Sequence, residues 1–523
     1  MKHFYYRLIE RTNELHKKDL MILGSGLGIF GALSLANMSR WSIWFDEAFG
    51  IYLIRYNFWE VAKFTSVDVH PPLYYWALKL WQGVFGSSEI ALRSLSMVMI
   101  MVAIVFVYLL VRRTFGLRVG AWVVALLAIS PMLIRYATEA RMYGMATAIV
   151  AAATYVLVSV TRKPTARKWV IYGILVSLGM WTHYYTAIIW IAHWVWRYSI
   201  SRGKDTRATV RAFWTKDWIM AHVIAIGLFL PWMPYMITQM ATVQGGGFWI
   251  RPITAITPFN FLTNIFLYRE NYEVQNWLAI LMLVVMGVVV YVLATTYKKL
   301  KTEQKKTQLL FMIMAFVPLV LLLLLSLPPL RPSFVDRYLL PSIPFWFASI
   351  GIAVSVFIVN KKPRVVLPVV MVLFTALSLG IAHVYTIGNY NKNANDPMPI
   401  RQTINQIWSL GNNGQPILAA SPWRFYETHY YDSQKHPVYF EATDNLTWGS
   451  YEMLRNNMYR KVYDTPAFAR EHGGTIWYVG DWKQGSPALP KEGTWKVIQE
   501  VIVDGVPPEQ STIRAAEIKL ESI

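Results

Sequence analysis

Among its 523 residues the chain has no cysteine. That excludes disulfides, thiolate metal sites, iron–sulfur clusters and a cysteine nucleophile, and it leaves the redox compartment open. Charge is also scarce, at 15% of residues, and acidic residues number 30 against 50 basic ones. Length alone would suggest three or four soluble domains of about 150 residues. With 55% apolar residues gathered in long blocks and a mean hydropathy of +0.33, the composition instead indicates a polytopic membrane protein. Repeats of about 20–50 residues, inverted halves and low-complexity segments are not evident in the sequence.

Eleven apolar blocks read as membrane spans, near 20–38, 90–111, 119–134, 143–160, 169–182, 184–200, 218–237, 276–297, 308–327, 340–359 and 365–386. The blocks at 119–134 and 169–182 are short, which leaves their ends open. The first block has no clear small-residue cleavage site, so it reads as a span and not as a removable signal. Lys and Arg set the orientation. The segment before the first span and the alternate loops after it hold 26, and the opposite loops up to residue 340 hold ten. By the positive-inside rule the N-terminus is cytoplasmic and residues 387–523 lie outside, in a multi-pass protein of the cytoplasmic membrane. The net charge of +20 then follows from topology, and no nucleic-acid partner is expected.

Three outer segments exceed simple turns. The first, 39–89, predicts short helices near 58–65 and 72–85; the second of these is aromatic, too short to span, and suited to an interface. The second, 238–275, begins near Gly245-Gly246-Gly247 and reads as either a lid with a glycine hinge or a passive connector. The third, 387–523, alternates strand-like runs at 416–420, 436–440, 475–479, 495–503 and 513–520 with a helical run near 398–410, which predicts a small α/β domain. The expected organisation is a membrane module over 1–386 and a soluble domain over 387–523.

Five polar clusters fall on the outer side of this topology. Asp46 and Glu47 are adjacent carboxylates just after the first span. They can supply a general base with a tuning neighbour, or simply cap a helix. Asp68 and His70 precede Pro71-Pro72, which either orient them toward a ligand or only start the next helix. Arg141 enters a membrane helix at Glu139-Ala140-Arg141-Met142-Tyr143. A boundary arginine is a functional candidate whose forked donors suit a phosphate, and an internal pair with Glu139 is the structural option. His183, within Thr182-His183-Tyr184-Tyr185, reads equally as a ligand or as a satisfied structural histidine. Arg337, in Asp336-Arg337-Tyr338, is a second phosphate candidate, with a plain Asp336–Arg337 pair as the alternative. Tyr74, Tyr143, Tyr184 and Tyr338 join these as substrate-binding candidates. Acids, arginines and histidines at one face of the spans imply a site for an amphiphile with a buried tail and an exposed head.

The stretches HPPLYYWALKLWQGVFGSSEIALRSLS, ISPMLIRYATEARMYGMA and WTHYYTAI resemble the GT-C superfamily of polyprenyl-phosphate-sugar-dependent glycosyltransferases. The similar branch holds relatives of protein O-mannosyltransferases and of the lipid A aminoarabinose transferase. The resemblance covers about 40–240 well and RYLLP at 337–341 weakly. It implies a GT-C fold with a soluble outer C-terminal domain, Asp46 as catalytic base, Glu47, Asp68 and His70 as further polar residues of the first outer loop, and Arg141 as the arginine of the E-A-R-x-Y block.

The chemistry this implies is an inverting displacement. A base deprotonates the acceptor hydroxyl, cationic groups stabilise the departing phosphate, and one essential carboxylate suffices. Arg141 and Arg337 are then phosphate contacts, with His70, Asp68, Glu47 and His183 supporting. The expected partners are a polyprenyl-phosphate-linked sugar, an acceptor that is a lipid, a glycan or a protein, and membrane lipids. No cofactor is required, and a divalent cation on Asp46, Glu47, Asp68 and His70 is left open because no ligand spacing is fixed. Two other readings remain: a polytopic transporter or lipid flippase, which would carry mid-span charges and repeated halves, and an anchored wall-binding protein, for which eleven spans are excessive.

Overall fold

The computed structural model describes residues 17–245, 250–268, 276–386, 399–410, 414–432, 436–442, 446, 449–455, 460–481, 489–501 and 513–521. Contacts divide the chain into two compact units. The first comprises Met1–Ala36, Arg93–Pro234 and Val243–Ile387, and the second Asn37–Leu92, Tyr235–Thr242 and Gly388–Ile523.

The first unit is helical. Among the described residues eight helices are long and apolar enough to cross a membrane, or nine if one bent pair is a single span. All eleven apolar blocks read from the sequence fall on helices. The block at 119–134 is the bent pair, Leu117–Ala128 and Pro131–Ala137, with 58° between them. Pro131 begins the second piece because its fixed φ suits a first helical turn and its missing N–H ends the ladder before it. The blocks at 169–182 and 184–200 are Ala166–Thr182 and Thr186–Ile200, of 17 and 15 residues. At 1.5 Å per residue they extend about 26 and 23 Å, against about 30 Å of hydrocarbon.

Burial grades these helices. The apolar window of Asp336–Asn360 is 83% buried, whereas that of Lys216–Val243 is 22% buried and that of Pro363–Thr386 28%. Their exposed faces carry Val223, Ile226, Leu367 and Met371, side chains suited to lipid tails. Close crossings use glycine. A Cβ on Gly173 would lie 2.3 Å from the Ala221 carbonyl oxygen, so the helices Ala166–Thr182 and Lys216–Phe229 meet where no side chain intervenes. The helix expected to end near 237 continues to Gly245, and Thr257–Phe266 forms another helix. The hinge expected at Gly245-Gly246-Gly247 lies largely outside the described residues.

The second unit contains a six-stranded mixed sheet. Its strands are β1 (Ile417–Ala419), β2 (Val438–Glu441), β3 (Lys461–Val462), β4 (Thr475–Asp481), β5 (Trp495–Glu500) and β6 (Ile513–Leu520), in the order β3-β2-β1-β4-β6-β5. Strands β3, β2, β1 and β4 are parallel, and β6 pairs antiparallel with both β4 and β5. The helix Pro422–Asp432 makes the crossover from β1 to β2. The same unit holds the helices Phe45–Leu53, Phe58–Ser66 and Leu73–Phe85. Phe58–Ser66 opens with a reciprocal cap: Asn57 Oδ1 accepts the Glu60 N–H at 2.9 Å, and Glu60 Oε2 accepts the Asn57 N–H at 3.0 Å. Leu73–Phe85 buries Tyr74, Tyr75 and Leu78 and exposes Leu80, Val84 and Phe85, the two-sided character expected of an interfacial helix. Arg55 Nη1 donates to His429 Nε2 at 2.8 Å, which requires a neutral imidazole. Burial, then the charges of Arg55 and Arg460, push the His429 pKa down to about 3.

Two stability predictions follow from this packing. Gly173→Ala should cost about 1–3 kcal/mol through overpacking and lower the unfolding temperature in detergent. Gly24→Ala, whose Cβ meets nothing within 4 Å, should not. For His429, the folded pKa lies below that of the unfolded chain. The unfolded state therefore binds the extra proton between pH 6.5 and about 3. The stabilisation is complete above pH 6.5 and declines as pH falls, by up to about 1.4 kcal/mol per unit. Unfolding temperatures measured from pH 7 to 5 should fall less steeply in His429→Gln than in the unsubstituted chain.

Candidate active site

The sequence-predicted residues lie in two clusters, one in each unit. In the second unit, Asp46 and Glu47 occupy the first turn of the helix Phe45–Leu53, where carboxylates complement the helix dipole. Glu47 is completely buried and Asp46 partly exposed. The Glu47 carboxylate accepts the Trp44 N–H at 3.4 Å, so it closes the helix start from within the protein and is not a solvated cap. Asp68 is buried just after Phe58–Ser66, and its N–H donates to the Thr65 carbonyl. His70 is partly exposed at the turn leading to Pro71 and Pro72. Tyr74 is buried in the first turn of Leu73–Phe85.

The short helix Phe45–Leu53 is held by rings. Phe45, Phe49 and Tyr52 recur at helical spacing and face the helix Pro422–Asp432. Phe45 stacks on Trp423 at 3.8 Å with 7° between planes, Phe49 meets Tyr426 edge-on at 6.0 Å, and Tyr52 contacts Tyr426 and His429, each at 5.1 Å. On another side Phe49 meets Tyr75 at 6.1 Å. Aromatic pairs of this kind contribute about 0.5–1.5 kcal/mol each beyond burial, enough together to order a nine-residue helix that would be marginal alone.

In the first unit, Arg141 and Arg337 are 4% and 3% exposed. Arg141 lies in the turn before Tyr143–Arg162, and Arg337 lies in the 3-10 helix Asp336–Ser342. Both guanidinium groups act electrostatically on His183, which sits between Ala166–Thr182 and Thr186–Ile200. Rings line this cluster. The Arg337 guanidinium lies 5.5 Å from the Tyr143 ring centroid, and His183 lies 5.4 Å from Tyr143 and 5.0 Å from Tyr338. Glu139, one potential partner of Arg141, is bridged by Arg135 at 2.7 Å, with both groups buried. Ser96 Oγ lies 2.6 Å from the Glu139 carbonyl oxygen and 3.1 Å from that of Arg141, and so fixes the turn that presents Arg141. Asp336 accepts from Asn264 Nδ2.

The structure thus brings Arg141, Tyr143, His183, Arg337 and Tyr338 together. The Tyr184 hydroxyl instead accepts the indole N–H of Trp232 at 2.7 Å. Its neighbour Tyr185, absent from the sequence-predicted set, stacks on Tyr338 at 4.4 Å. Arg135 was also missed, although its four-residue spacing from Glu139 is a readable helix-pair signal. Among the described residues no group of three His, Asp or Glu side chains is arranged to hold a metal ion.

Buried guanidinium groups beside rings and a histidine suit an anionic head with an apolar continuation, and a partly exposed carboxylate at a helix start suits proton transfer. Residues 69–235 match the family described as dolichyl-phosphate-mannose-protein mannosyltransferase. No curated protein matches the chain. The crystal structure of ArnT from Cupriavidus metallidurans in the apo state is 11% identical, with a TM-score of 0.61 over 95% of this chain and 97% of that one. The same protein bound to undecaprenyl phosphate gives 11% identity and a TM-score of 0.59, over 95% and 98%. At that identity the likeness is one of fold, and it covers the residues 69–235 of the family match. Residues 69–235 thus resemble that mannosyltransferase family, and the chain as a whole shares the fold of ArnT.

Proposed function

We propose that the protein transfers a sugar from a polyprenyl-phosphate donor to an acceptor hydroxyl on an envelope glycan, lipid or protein at the outer face of the cytoplasmic membrane. The observation that carries this reading is the geometry of two buried arginines and a histidine beside tyrosine rings: Arg337 over Tyr143, and His183 against Tyr143 and Tyr338, with Arg141 in the adjoining turn. A phosphate with an apolar tail matches that chemistry. The family description naming a dolichyl-phosphate sugar and the solved ArnT complex with undecaprenyl phosphate both support it.

In the proposed step the Asp46 carboxylate takes the proton of the acceptor hydroxyl as its oxygen attacks the anomeric carbon. The bond from that carbon to the phosphate oxygen breaks, and the electron pair leaves with the polyprenyl phosphate. Arg141 and Arg337 offset the charge developing on the phosphate. One displacement inverts the anomeric centre. Glu47 holds the start of the helix that presents Asp46, and Asp68, His70, Tyr74, Tyr143, His183 and Tyr338 are assigned to substrate orientation.

The test is transfer from a panel of labelled polyprenyl-phosphate sugars by the purified protein with crude envelope acceptor. Asp46→Asn should lower turnover by about 10²- to 10⁴-fold with donor binding kept, and retained turnover overturns the assignment. Arg141→Ala and Arg337→Ala should each weaken donor binding and lower kcat together. A chain that is folded, turns over no donor and binds none supports the transporter reading.

A further inference from the structure

We infer that the C-terminal α/β domain is the positioning device for the catalytic carboxylate, acting through Arg401, Tyr431, Glu89 and Trp423. This rests on the assignment of Asp46 as base. All of these residues belong to the second unit.

The segment running into Asp46 is tied to this domain at nearly every residue. Arg401 Nη1 donates to the Ser39 carbonyl at 2.8 Å, and its Nη2 donates to the Arg40 carbonyl at 3.2 Å. The Arg401 N–H donates to Ser42 Oγ, and that hydroxyl donates to Gln402 Oε1, each at 3.3 Å. The Ile43 N–H donates to the Tyr431 hydroxyl oxygen at 2.7 Å. Phe45 then lies flat on Trp423. These contacts share a hub. Glu89, almost buried, accepts from Arg401 Nη1 at 2.5 Å and from the Tyr431 hydroxyl. The one carboxylate fixes both the guanidinium that grips Ser39 and Arg40 and the phenol that grips Ile43, three residues before Asp46.

Chemistry explains why such a hub is needed. A general base works only within hydrogen-bond reach of its proton, and a misplacement of about 1 Å can cost about 100-fold in rate. Phe45–Leu53 spans nine residues and has no side-chain hydrogen bond from Trp44 to cap it, so its own ladder cannot set its direction. Direction comes from the ring stack below and the Glu89 hub before it. The hub residues touch the backbone and not the reacting groups, so they should govern turnover and not donor affinity.

The experiment compares Tyr431→Phe, Arg401→Ala, Arg401→Lys and Asp46→Asn in the full chain. Tyr431→Phe and Arg401→Ala should lower kcat about 10- to 100-fold, with the donor KM within about twofold and the unfolding temperature nearly unchanged. Arg401→Lys should recover part of the loss, since it keeps the charge on Glu89 but not the fork to two carbonyls. Amide hydrogen exchange over residues 39–49, which needs no substrate, should quicken in Tyr431→Phe and Arg401→Ala. Unchanged exchange, unchanged kcat, or a loss that only tracks unfolding would overturn the inference. An inactive Asp46→Asn beside normal Tyr431→Phe and Arg401→Ala overturns the positioning role alone. An active Asp46→Asn overturns the assignment of the base on which it rests.

Discussion

A charge that leaves water must meet another charge, a dipole or a ligand, and that constraint organises each unit of the protein. In the first unit Arg135 answers Glu139 inside the protein, while Arg141 and Arg337 are set beside His183 and the rings of Tyr143 and Tyr338. The surrounding helices are arranged to hold them there. Ser96 on one long helix reaches the carbonyls of the turn ahead of the next. A Cβ on Gly144 would come within 2.8 Å of the Ser96 carbonyl oxygen, so the helix that follows Arg141 can lie directly on its neighbour. In the second unit Glu89 plays the corresponding part, drawing a guanidinium and a phenol to one carboxylate.

Most of the helices could be read from composition, because a run long enough to cross hydrocarbon has few alternatives. The candidate residues at the ends of these helices stand out for a related reason: arginine, histidine and paired carboxylates are expensive beside apolar spans. Less visible were elements whose cause lies elsewhere in the chain. The segment Phe45–Leu53 buries eight of its nine residues, so it shows no polar stripe from which a helical period could be taken. Pro422–Asp432 is rich in aromatic residues of modest helix propensity, and its start signal, Ser421 followed by Pro422, is two residues long. Strand β3 is two residues long and defined by its neighbour β2. Tyr184 and Tyr185 are equivalent in sequence. Only packing distinguishes them, one meeting Trp232 and the other Tyr338.

The sheet in the second unit has an arrangement that elsewhere often serves ligands. Its parallel strands run outward from β1 in both directions, to β2 and β3 on one side and to β4 on the other. Crevices at such reversals of strand order commonly take small molecules. Here the helix leaving β1 is covered along its ring-bearing side by Phe45–Leu53.

That arrangement sets where this protein can be recombined. Residues 37–92 and 388–523 are distant in sequence yet fold as one body, and Phe45, Phe49 and Tyr52 have their ring partners on the far side of the intervening spans in chain order. A chimera that joins two homologues at residue 387 inherits the helix Phe45–Leu53 from one parent and the rings it packs on from the other. A chimera that transplants both stretches together keeps the stacked surfaces matched, so the heritable module of this protein is a discontinuous one.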